Sequence, residues 1–352
     1  MEKIRVLIID DSAIMRRLIS ETLSCDLEIE VIDTAMSAKL ALEKIDKLSP
    51  DIVTLDIEMP DTDGLTALKE IKKKHPKLPV IMCSALTKHG AQATIKALIL
   101  GAGDYVAKPN NCKSREEIKQ YFGNELIYKI KGLIKKRSSK ITHTQAPLPI
   151  NMRPGTDRID IVTIGSSTGG PNALIEVLVK IPFNFQVPIV IVQHMPPIFT
   201  KILAESLSGK CAIPVVEAQD GDELLPGHAW IAPGNYHMTV VYQNNRHFIR
   251  LNQDPQEHYC RPAVDVLFRS VAKLFGSNTL GVIMTGMGHD GLLGCEVIKE
   301  HFGQVIAQDE ATSVVWGMPG AVTKAGLADQ TMPLNELGLD IVRRVNRKRV
   351  ML

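Results

Sequence analysis

The sequence has few cysteines, no long apolar run and almost no net charge. Its six cysteines are scattered along 352 residues, and no two of them form a Cys-x-x-Cys pair. This spacing argues against a zinc site and a disulfide framework, and it fits a reducing compartment. No apolar run reaches the roughly 18–20 residues that span a membrane, and the opening segment MEKIRVLIIDDS resembles a strand more than a signal peptide. We therefore expect a soluble, cytoplasmic protein without membrane insertion.

The small net charge also bears on nucleic-acid binding. A net charge of +2 gives no general attraction to a polyanion. Two basic stretches, KIKGLIKKRSSK and RRVNRKRV, are the best candidates for such a surface, but no helix-turn-helix pattern accompanies them. Basic segments in a linker or at a chain end are usually solvated, so no nucleic-acid partner is expected.

The length predicts two domains, since one domain commonly takes roughly 100–200 residues. In residues 1–122, five short apolar runs alternate with helical patterns: IRVLIID, IEVIDTA, DIVTLD, LPVIMCSA and DYVAK. This alternation predicts a five-stranded parallel sheet covered by helices on both faces. Residues 123–157 change character, because a basic stretch is followed by a proline-rich segment of low apolar content. We interpret them as a linker, whose start can also be read as the tail of a helix.

Residues 158–352 resume the alternation and predict a second domain, a doubly wound α/β sheet of the Rossmann type. Its strand candidates are DIVTIG, PIVIVQH, HAWIAP, LGVIMTG and QVIAQD. The runs HMTVVYQ and RHFIRLN, joined by two asparagines, predict one antiparallel hairpin.

Polar side chains end four strands of the first domain. Asp10 and Asp11 follow the first strand, Asp56 ends the third, Ser84 the fourth and Lys108 the fifth. Ligands of open α/β sheets bind beyond the carboxyl ends of the strands. Clustered carboxylates suit Mg²⁺, and a carboxylate beside it can act as a nucleophile toward a phosphoryl group. The alternative interpretation is that these residues only cap helices and form turns.

These residues, with the motifs DIEMPDTDGL and YVAKP, resemble the flavodoxin-like receiver domain of two-component response regulators. The resemblance covers residues 1–122. It implies that Asp56 accepts the phosphoryl group. It also implies that Asp10, Asp11 and Asp56 hold Mg²⁺ together with the backbone carbonyl of Glu58.

The same resemblance assigns three residues to phosphate sensing. Ser84 and Lys108 would contact the phosphoryl group, and Tyr105 would be the aromatic residue that changes position on activation. Residues 61–63, Asp-Thr-Asp, depart from the usual pattern in a surface loop. The implied phosphodonor is a histidine kinase.

The second domain begins with a glycine-rich turn, IGSSTGGPNAL, which contains Gly165-x-Ser167-x-Gly169. A P-loop would need a lysine after the glycines, but Gly170 is followed by Pro171. The spacing also breaks the dinucleotide-binding pattern. The remaining interpretation is a nucleophilic serine at a strand-to-helix turn, where backbone N–H groups can stabilise an oxyanion.

Such a serine needs a base and an acid that orients the base. His194 ends the strand VPIVIVQH, and Asp290 lies in the glycine-rich loop after LGVIMTG, so the two side chains and Ser167 are expected at one sheet edge. His289 is a rival base. The chain order Ser, His, Asp differs from that of α/β-hydrolases. The alternative is that His194 has only backbone partners and that Asp290 is a helix N-cap.

The motifs IGSSTGGPNAL, QHMPPIFT, RPAVDVLFRSVA, GVIMTGMGHDG and SVVWGMPGAV resemble the catalytic domain of the chemotaxis protein-glutamate methylesterases, the CheB type. The resemblance implies Ser167 as nucleophile, His194 as general base and Asp290 as orienting acid. Backbone N–H groups near Thr168 and Met287 would form the oxyanion hole.

The family resemblance implies a phosphorylation-activated serine hydrolase that demethylates glutamate methyl esters on chemotaxis receptors and deamidates receptor glutamines. Mg²⁺ would serve the receiver domain, and the esterase reaction would need no cofactor. Ser166 stands where alanine is frequent, and His289 where asparagine is frequent. Two alternatives stay open, namely a response regulator whose output domain only binds protein and an esterase for small molecules.

Overall fold

The computed structural model describes residues 3–59, 63–108, 122–138 and 158–347, without the side chains of residues 135–138. The chain divides into two compact units, Met1–Lys140 and Ile141–Leu352. Among the described residues, no helix is both long enough and apolar enough to cross a membrane.

The first unit contains a parallel sheet. Its strands are β1 (Ile4–Ile9), β2 (Ile29–Ala35), β3 (Ile52–Asp56), β4 (Val80–Ala85) and β5 (Asp104–Lys108). Its helices between strands are α1 (Ala13–Leu23), α2 (Ala38–Leu48), α3 (Gly64–Lys74) and α4 (Lys88–Ile99). The strand order is β2-β1-β3-β4-β5, with every pair parallel. The five-stranded parallel sheet predicted from the sequence is confirmed.

The four helices of this sheet begin at side-chain caps that follow the strand ends. Ser12, Ser37, Asp63 and Thr87 each accept a hydrogen bond from a backbone N–H of the first helical turn. Such caps satisfy donors that have no partner inside the helix. The polar residues that end the strands are therefore not the N-caps of these helices.

A further helix packs in the first unit where the sequence predicted the start of a linker. A π-helical turn, Gly123–Ile127, leads into α5 (Tyr128–Ser138). Phe122, Leu126 and Ile130 are fully buried, so burial of this apolar stripe orders the segment. This helix belongs to the first compact unit, Met1–Lys140. The proline-rich part of the predicted linker lies outside the described residues, as do Asp61, Thr62 and Pro109 of the receiver motifs.

The second unit contains a larger parallel sheet. Its strands are β6 (Ile161–Ser166), β7 (Ile189–Gln193), β8 (Val215–Glu217), β9 (Ala229–Ile231), β12 (Thr279–Ile283), β13 (Gln304–Gln308) and β14 (Gln330–Met332). Its helices are α6 (Gly170–Leu178), α7 (Phe199–Ser208), α8 (Val264–Phe275), α9 (Leu292–Glu300), α10 (Met318–Lys324) and α11 (Leu334–Asn346). The strand order is β14-β13-β12-β6-β7-β9-β8. The chain runs outward from β6 in both directions, so the strand order reverses between β6 and β12.

The predicted hairpin is confirmed as a separate two-stranded sheet of β10 (His237–Gln243) and β11 (Arg246–Asn252). Asn244 and Asn245 connect the strands with φ values of 49° and 65°. Asparagine tolerates this left-handed region better than most residues, which explains the two-residue turn.

Candidate active site and acidic cluster

The first unit gathers an acidic cluster at the carboxyl ends of β1, β3 and β5. Lys108 Nζ lies 3.0 Å from Asp10 Oδ2 and 2.8 Å from Asp56 Oδ1. Asp10 and Asp56 are both buried. Since β1 and β3 are the strands between which the sheet order reverses, the cluster lies where ligands of such sheets bind.

Burial sets the proton affinity of Asp56. Removal of its carboxylate from water raises the pKa of Asp56 to about 6, against the opposing effect of the Lys108 ammonium. The neighbouring Asp10 carboxylate raises the pKa further, while a hydrogen bond from the Glu58 backbone N–H, at 3.3 Å, lowers it. The single positive charge of Lys108 therefore does not balance the carboxylates of Asp10 and Asp56.

The same cluster fits a divalent cation. Asp10, Asp11 and Asp56 each offer a carboxylate oxygen, and these oxygens lie within 4.8 Å of one another. Oxygen ligands in an open, partly solvated arrangement suit Mg²⁺. A cavity of about 570 Å³ opens beside Asp11 and Glu58, so the cluster can be reached from solvent.

The predicted phosphate-sensing residues lie on β4 and β5. Ser84 is buried, and its hydroxyl donates to the Ala85 carbonyl at 3.3 Å. The Tyr105 ring is also buried, and Lys129 Nζ of α5 lies 4.9 Å from its centroid. Lys129 additionally donates to the Tyr105 carbonyl at 2.5 Å. The residue expected to change position is therefore in contact with the helix that follows the sheet.

In the second unit, the candidate catalytic residues follow β6, β7 and β12, which are neighbours in the sheet. Ser166 pairs with Gln193 in the parallel register of β6 and β7. The next residues on the two strands are Ser167 and His194, and the His194 N–H donates to the Ser166 carbonyl at 3.1 Å. The sheet thus places the serine and the histidine side by side.

Asp290 completes the set from the loop after β12. Its Oδ2 atom lies 2.7 Å from His194 Nε2 and accepts the Val264 N–H at 2.7 Å, while Oδ1 accepts the Asp265 N–H at 2.9 Å. Burial alone would raise the pKa of Asp290, but these hydrogen bonds and the His194 charge lower it below its ordinary value. Asp290 therefore holds His194 and also accepts the first N–H groups of α8, but it is not an N-cap residue, because Ala263 and Gly291 hold the N-cap positions of α8 and α9.

Two neighbouring side chains raise the pKa of the His194 imidazole. Burial lowers the pKa of His194, but Cys260 and Asp290 outweigh this effect and raise it to about 10. The charge of Cys260 contributes only when its thiol is ionised, because a neutral thiol exerts no such attraction. The described residues show no hydrogen bond between Ser167 Oγ and His194. His194 and Asp290 are therefore in hydrogen-bond contact, whereas Ser167 must still form its hydrogen bond to His194 before it can react.

Gln193 fixes the positions of the serine and the histidine, and sequence reasoning missed it. Its Nε2 atom donates to the carbonyls of Ser167, at 2.9 Å, and His194, at 3.3 Å. Its Oε1 atom accepts the Ser166 hydroxyl at 2.7 Å. A Cβ atom on Gly170 would lie 1.8 Å from that Oε1. The signal was a glutamine at the buried end of an apolar strand, where a polar side chain needs partners.

The two segments proposed for the oxyanion hole are held by a buried threonine. Thr285 accepts the Ser167 N–H at its carbonyl, at 3.0 Å, and its hydroxyl donates to the Thr168 carbonyl at 2.8 Å. Gly286, just before Met287, accepts the N–H groups of Gly317 and Met318. Thr168 and Met287 thus both lie on the Ser167 side of the site, on backbone segments with fixed partners. His289, the rival base, is exposed, and its ring contacts His258.

These features define a class of protein: a receiver-type α/β unit with an acidic cluster, followed by an α/β unit with the strand-end residues of a serine hydrolase. A family model of CheB methylesterases matches residues 162–341, and a model of response regulator receiver domains matches residues 6–120. The receiver model and the strand order agree on the nature of the first unit.

Relatives extend the match to nearly the whole chain. A protein-glutamate methylesterase/protein-glutamine glutaminase of Trichodesmium erythraeum is 52% identical over 351 residues, covering 98% of this chain and 100% of that protein. A protein of the same name from Pyrococcus abyssi is 43% identical, covering 97% and 94%. The crystal structure of the Thermotoga maritima CheB methylesterase catalytic domain aligns with a TM-score of 0.52 and 43% identity, covering 53% of this chain and 98% of that one. The chain belongs to the CheB methylesterase family.

Proposed function

We propose that this protein hydrolyses glutamate γ-methyl esters on chemotaxis receptors and deamidates receptor glutamines, under the control of phosphorylation at Asp56. The observation that carries the proposal is the 2.7 Å contact between His194 Nε2 and Asp290, at the strand end adjacent to Ser167. The names of the relatives support the same reaction.

The chemistry follows from the roles of the three residues. Asp290 accepts the Nε2 proton of His194 and so leaves Nδ1 as the base. His194 takes the hydroxyl proton of Ser167, and the serine oxygen attacks the ester carbonyl. Methanol leaves with a proton from His194, and water then releases the glutamate from the acyl-enzyme by the same steps. A glutamine amide would lose ammonia instead.

Two backbone N–H groups would stabilise the negative oxygen of the tetrahedral intermediate. Thr168 N and Met287 N are the candidates, since both lie beside Ser167 on segments with fixed partners. A donor held in place needs no reorganisation during the reaction, which makes such groups effective.

The first unit supplies the control. Asp56 would accept the phosphoryl group from a histidine kinase, and Asp10, Asp11, Asp56 and the Glu58 carbonyl would hold Mg²⁺. When bound, the ion supplies the positive charge that Lys108 alone does not. Lys108 and Ser84 would then contact the new phosphoryl group, and Tyr105 would respond to it. The cytoplasmic location stays a prediction from the sequence.

Methanol release from methylated receptor membranes tests both parts. Wild type, Ser167→Ala and Asp56→Asn are compared with and without a small phosphodonor and Mg²⁺. We expect release that requires Ser167 and that rises with the phosphodonor only when Asp56 is present. Ser206→Ala and Asp46→Asn are matched controls away from both sites. Release by Ser167→Ala at the wild-type rate would rule out the nucleophile, and an unchanged response of Asp56→Asn would rule out the switch.

A further inference from the structure

A tight turn in the second unit, Glu257–Cys260, holds both of its central residues in the left-handed backbone region, which strains Tyr259. His258 has φ of 52° and Tyr259 has φ of 60°. Glu257 and Cys260 exchange backbone hydrogen bonds of 3.2 and 2.8 Å across the turn. Side chains with a Cβ atom are disfavoured in this region; asparagine, aspartate and histidine enter it more often than other residues, and tyrosine does not. The hairpin turn at Asn244 and Asn245 meets the same requirement with suitable residues.

The surrounding structure holds the turn in place. Arg269 pairs with Glu257 on one side. On the other side, Arg261 donates to the carbonyls of Gln253 and Asp254, at 2.9 and 3.0 Å, and to Asn235 Oδ1, at 2.8 Å. Strained conformations persist where several contacts determine them, and they concentrate at functional sites. The turn thus has the character of a functional segment.

Both neighbours of Tyr259 lie close to the candidate catalytic residues. Cys260 is near enough to the His194 ring to raise the pKa of that histidine. On the other side, His258 Nε2 lies 2.8 Å from the buried Asp265 carboxylate, and His258, Asp265 and Asp290 offer ligand atoms within 4.8 Å of one another. The turn therefore lies at the edge of the active site, and Tyr259 is at its tip.

Tyr259 itself contributes little to folding. Its side chain is 97% exposed, so it buries almost no surface, while its backbone is in an unfavourable region. Single exposed aromatic residues are common and usually need no explanation. Tyr259 differs because it lies beside the catalytic residues on a strained turn, so its presence there indicates a role in binding. Aromatic residues are enriched where proteins bind other proteins.

We propose that Tyr259 is a specificity-determining residue that contacts the polypeptide on either side of the esterified glutamate. The inference rests on the proposed function and names the part of the substrate that this turn recognises. Tyr259 follows directly before Cys260 in the chain, and consecutive Cα atoms are about 3.8 Å apart, so its exposed ring lies just outside the active site. The polypeptide on either side of a glutamate ester bound at Ser167 extends beyond the active site and can contact the ring, whereas a small ester has no such extension.

The test compares two substrates across variants of the full chain. Tyr259→Gly removes the ring and relieves the backbone strain, and Tyr259→Phe keeps the ring. Tyr242→Ala removes another exposed tyrosine, which lies in the hairpin. Each is assayed for methanol release from methylated receptor membranes and for hydrolysis of p-nitrophenyl acetate, with a thermal melt of each protein.

We expect Tyr259→Gly to raise KM for receptor membranes by about 5- to 10-fold, with kcat within about twofold and with the small ester hydrolysed at the wild-type rate. Its melting temperature should not fall, since the left-handed backbone suits glycine. Tyr259→Phe and Tyr242→Ala should behave as wild type.

Two results would overturn the inference. One is an unchanged KM in Tyr259→Gly, and the other is an equal loss on both substrates, which would make the turn a support for the catalytic residues. A wild-type protein that releases no methanol would overturn the proposed function, and this inference with it.

Discussion

The two units each bury an aspartate beside the point where the strand order of a parallel sheet reverses, yet the two carboxyl groups differ in proton affinity. The pKa of Asp56 is raised to about 6, while that of Asp290 is lowered. Burial acts in the same direction on both. Asp290 receives two backbone N–H groups and the His194 ring, whereas Asp56 receives one long backbone hydrogen bond and shares one lysine with Asp10. Since burial raises both pKa values, the donors account for the difference between them.

The difference suits the two proposed roles. A carboxylate that lacks positive charge gains from Mg²⁺ and reacts with a phosphoryl group. A carboxylate that is fully hydrogen-bonded stays ionised and orients an imidazole. Four predictions test this contrast, in order of decreasing effect.

The largest effect is expected when Asp290 loses its charge. Asp290→Asn should lower methanol release by about 10³- to 10⁴-fold, because an amide cannot favour the His194 tautomer that leaves Nδ1 as base. His289→Gln, the neighbouring exposed residue, is the control and should stay near wild type. A loss of less than tenfold in Asp290→Asn would show that His194 does not depend on this carboxylate.

The second effect concerns the positions of Ser167 and His194. Gln193→Ala removes the donor to both backbone carbonyls, so methanol release should fall by about 10- to 100-fold, since small displacements of reacting groups are costly. The assay is run well below the melting temperature of each variant. Gln186→Ala, an exposed glutamine, is the matched control. Full activity in Gln193→Ala would remove Gln193 from the site.

The third effect is on stability and should have opposite signs in the two units. Asp56→Asn should stabilise the first unit by about 3 kcal/mol at pH 7, because it removes a buried charge. The pKa of Asp56 rises on folding, so its ionised carboxylate lowers the free energy of unfolding. This loss begins above pH 3.8, the pKa in the unfolded chain, and is complete above about pH 6. The gain should therefore disappear below about pH 4.

Urea unfolding of the full chain measures this gain by circular dichroism. The two tryptophans, Trp230 and Trp316, both lie in the second unit, so their fluorescence follows that unit alone. Asp290→Asn should lower the midpoint of the fluorescence transition, and Asp56→Asn should leave it unchanged. The control is Asp46→Asn, an exposed carboxylate. A destabilised first unit in Asp56→Asn at pH 7 would contradict the explanation.

The smallest effect concerns the pH dependence of the base. His194 must be neutral to accept a proton, so kcat/KM should fall as pH drops through its pKa. Where its thiol is ionised, Cys260 raises that pKa, and Cys260→Ala should therefore move the acidic limb of the pH profile to lower pH. Cys25→Ala is the control. An unmoved limb would show that Cys260 does not act on His194.

Much of the fold could be predicted from the sequence, because apolar runs and the turn residues that separate them are local signals. The five strands of the first unit and the Asn244–Asn245 hairpin are examples. Strands β8 and β14 were missed, since three residues each carry no clear period. Helix α5 lies in the segment interpreted as a linker that starts as the tail of a helix, and the basic residues of this segment made the length of that helix hard to read from the sequence.

The candidate site could be predicted only in part. Strand ends identified Ser167, His194 and Asp290, since parallel strands deliver their ends to one edge. The contact of Asp290 with the start of α8, and the bridge made by Gln193, depend on packing between elements distant in sequence. The strain in the Glu257–Cys260 turn leaves no mark in the sequence beyond the absence of glycine or asparagine at its centre.

The most direct test of the contrast is a ¹³C NMR titration of the aspartate side-chain carboxyl groups in the Mg²⁺-free protein. Asp56→Asn and Asp290→Asn assign the two resonances. The explanation predicts that Asp56 titrates with a midpoint near 6 and that Asp290 stays ionised below 3.8. An Asp290 that takes up its proton above that value, or an Asp56 that titrates like an exposed carboxylate, would contradict it.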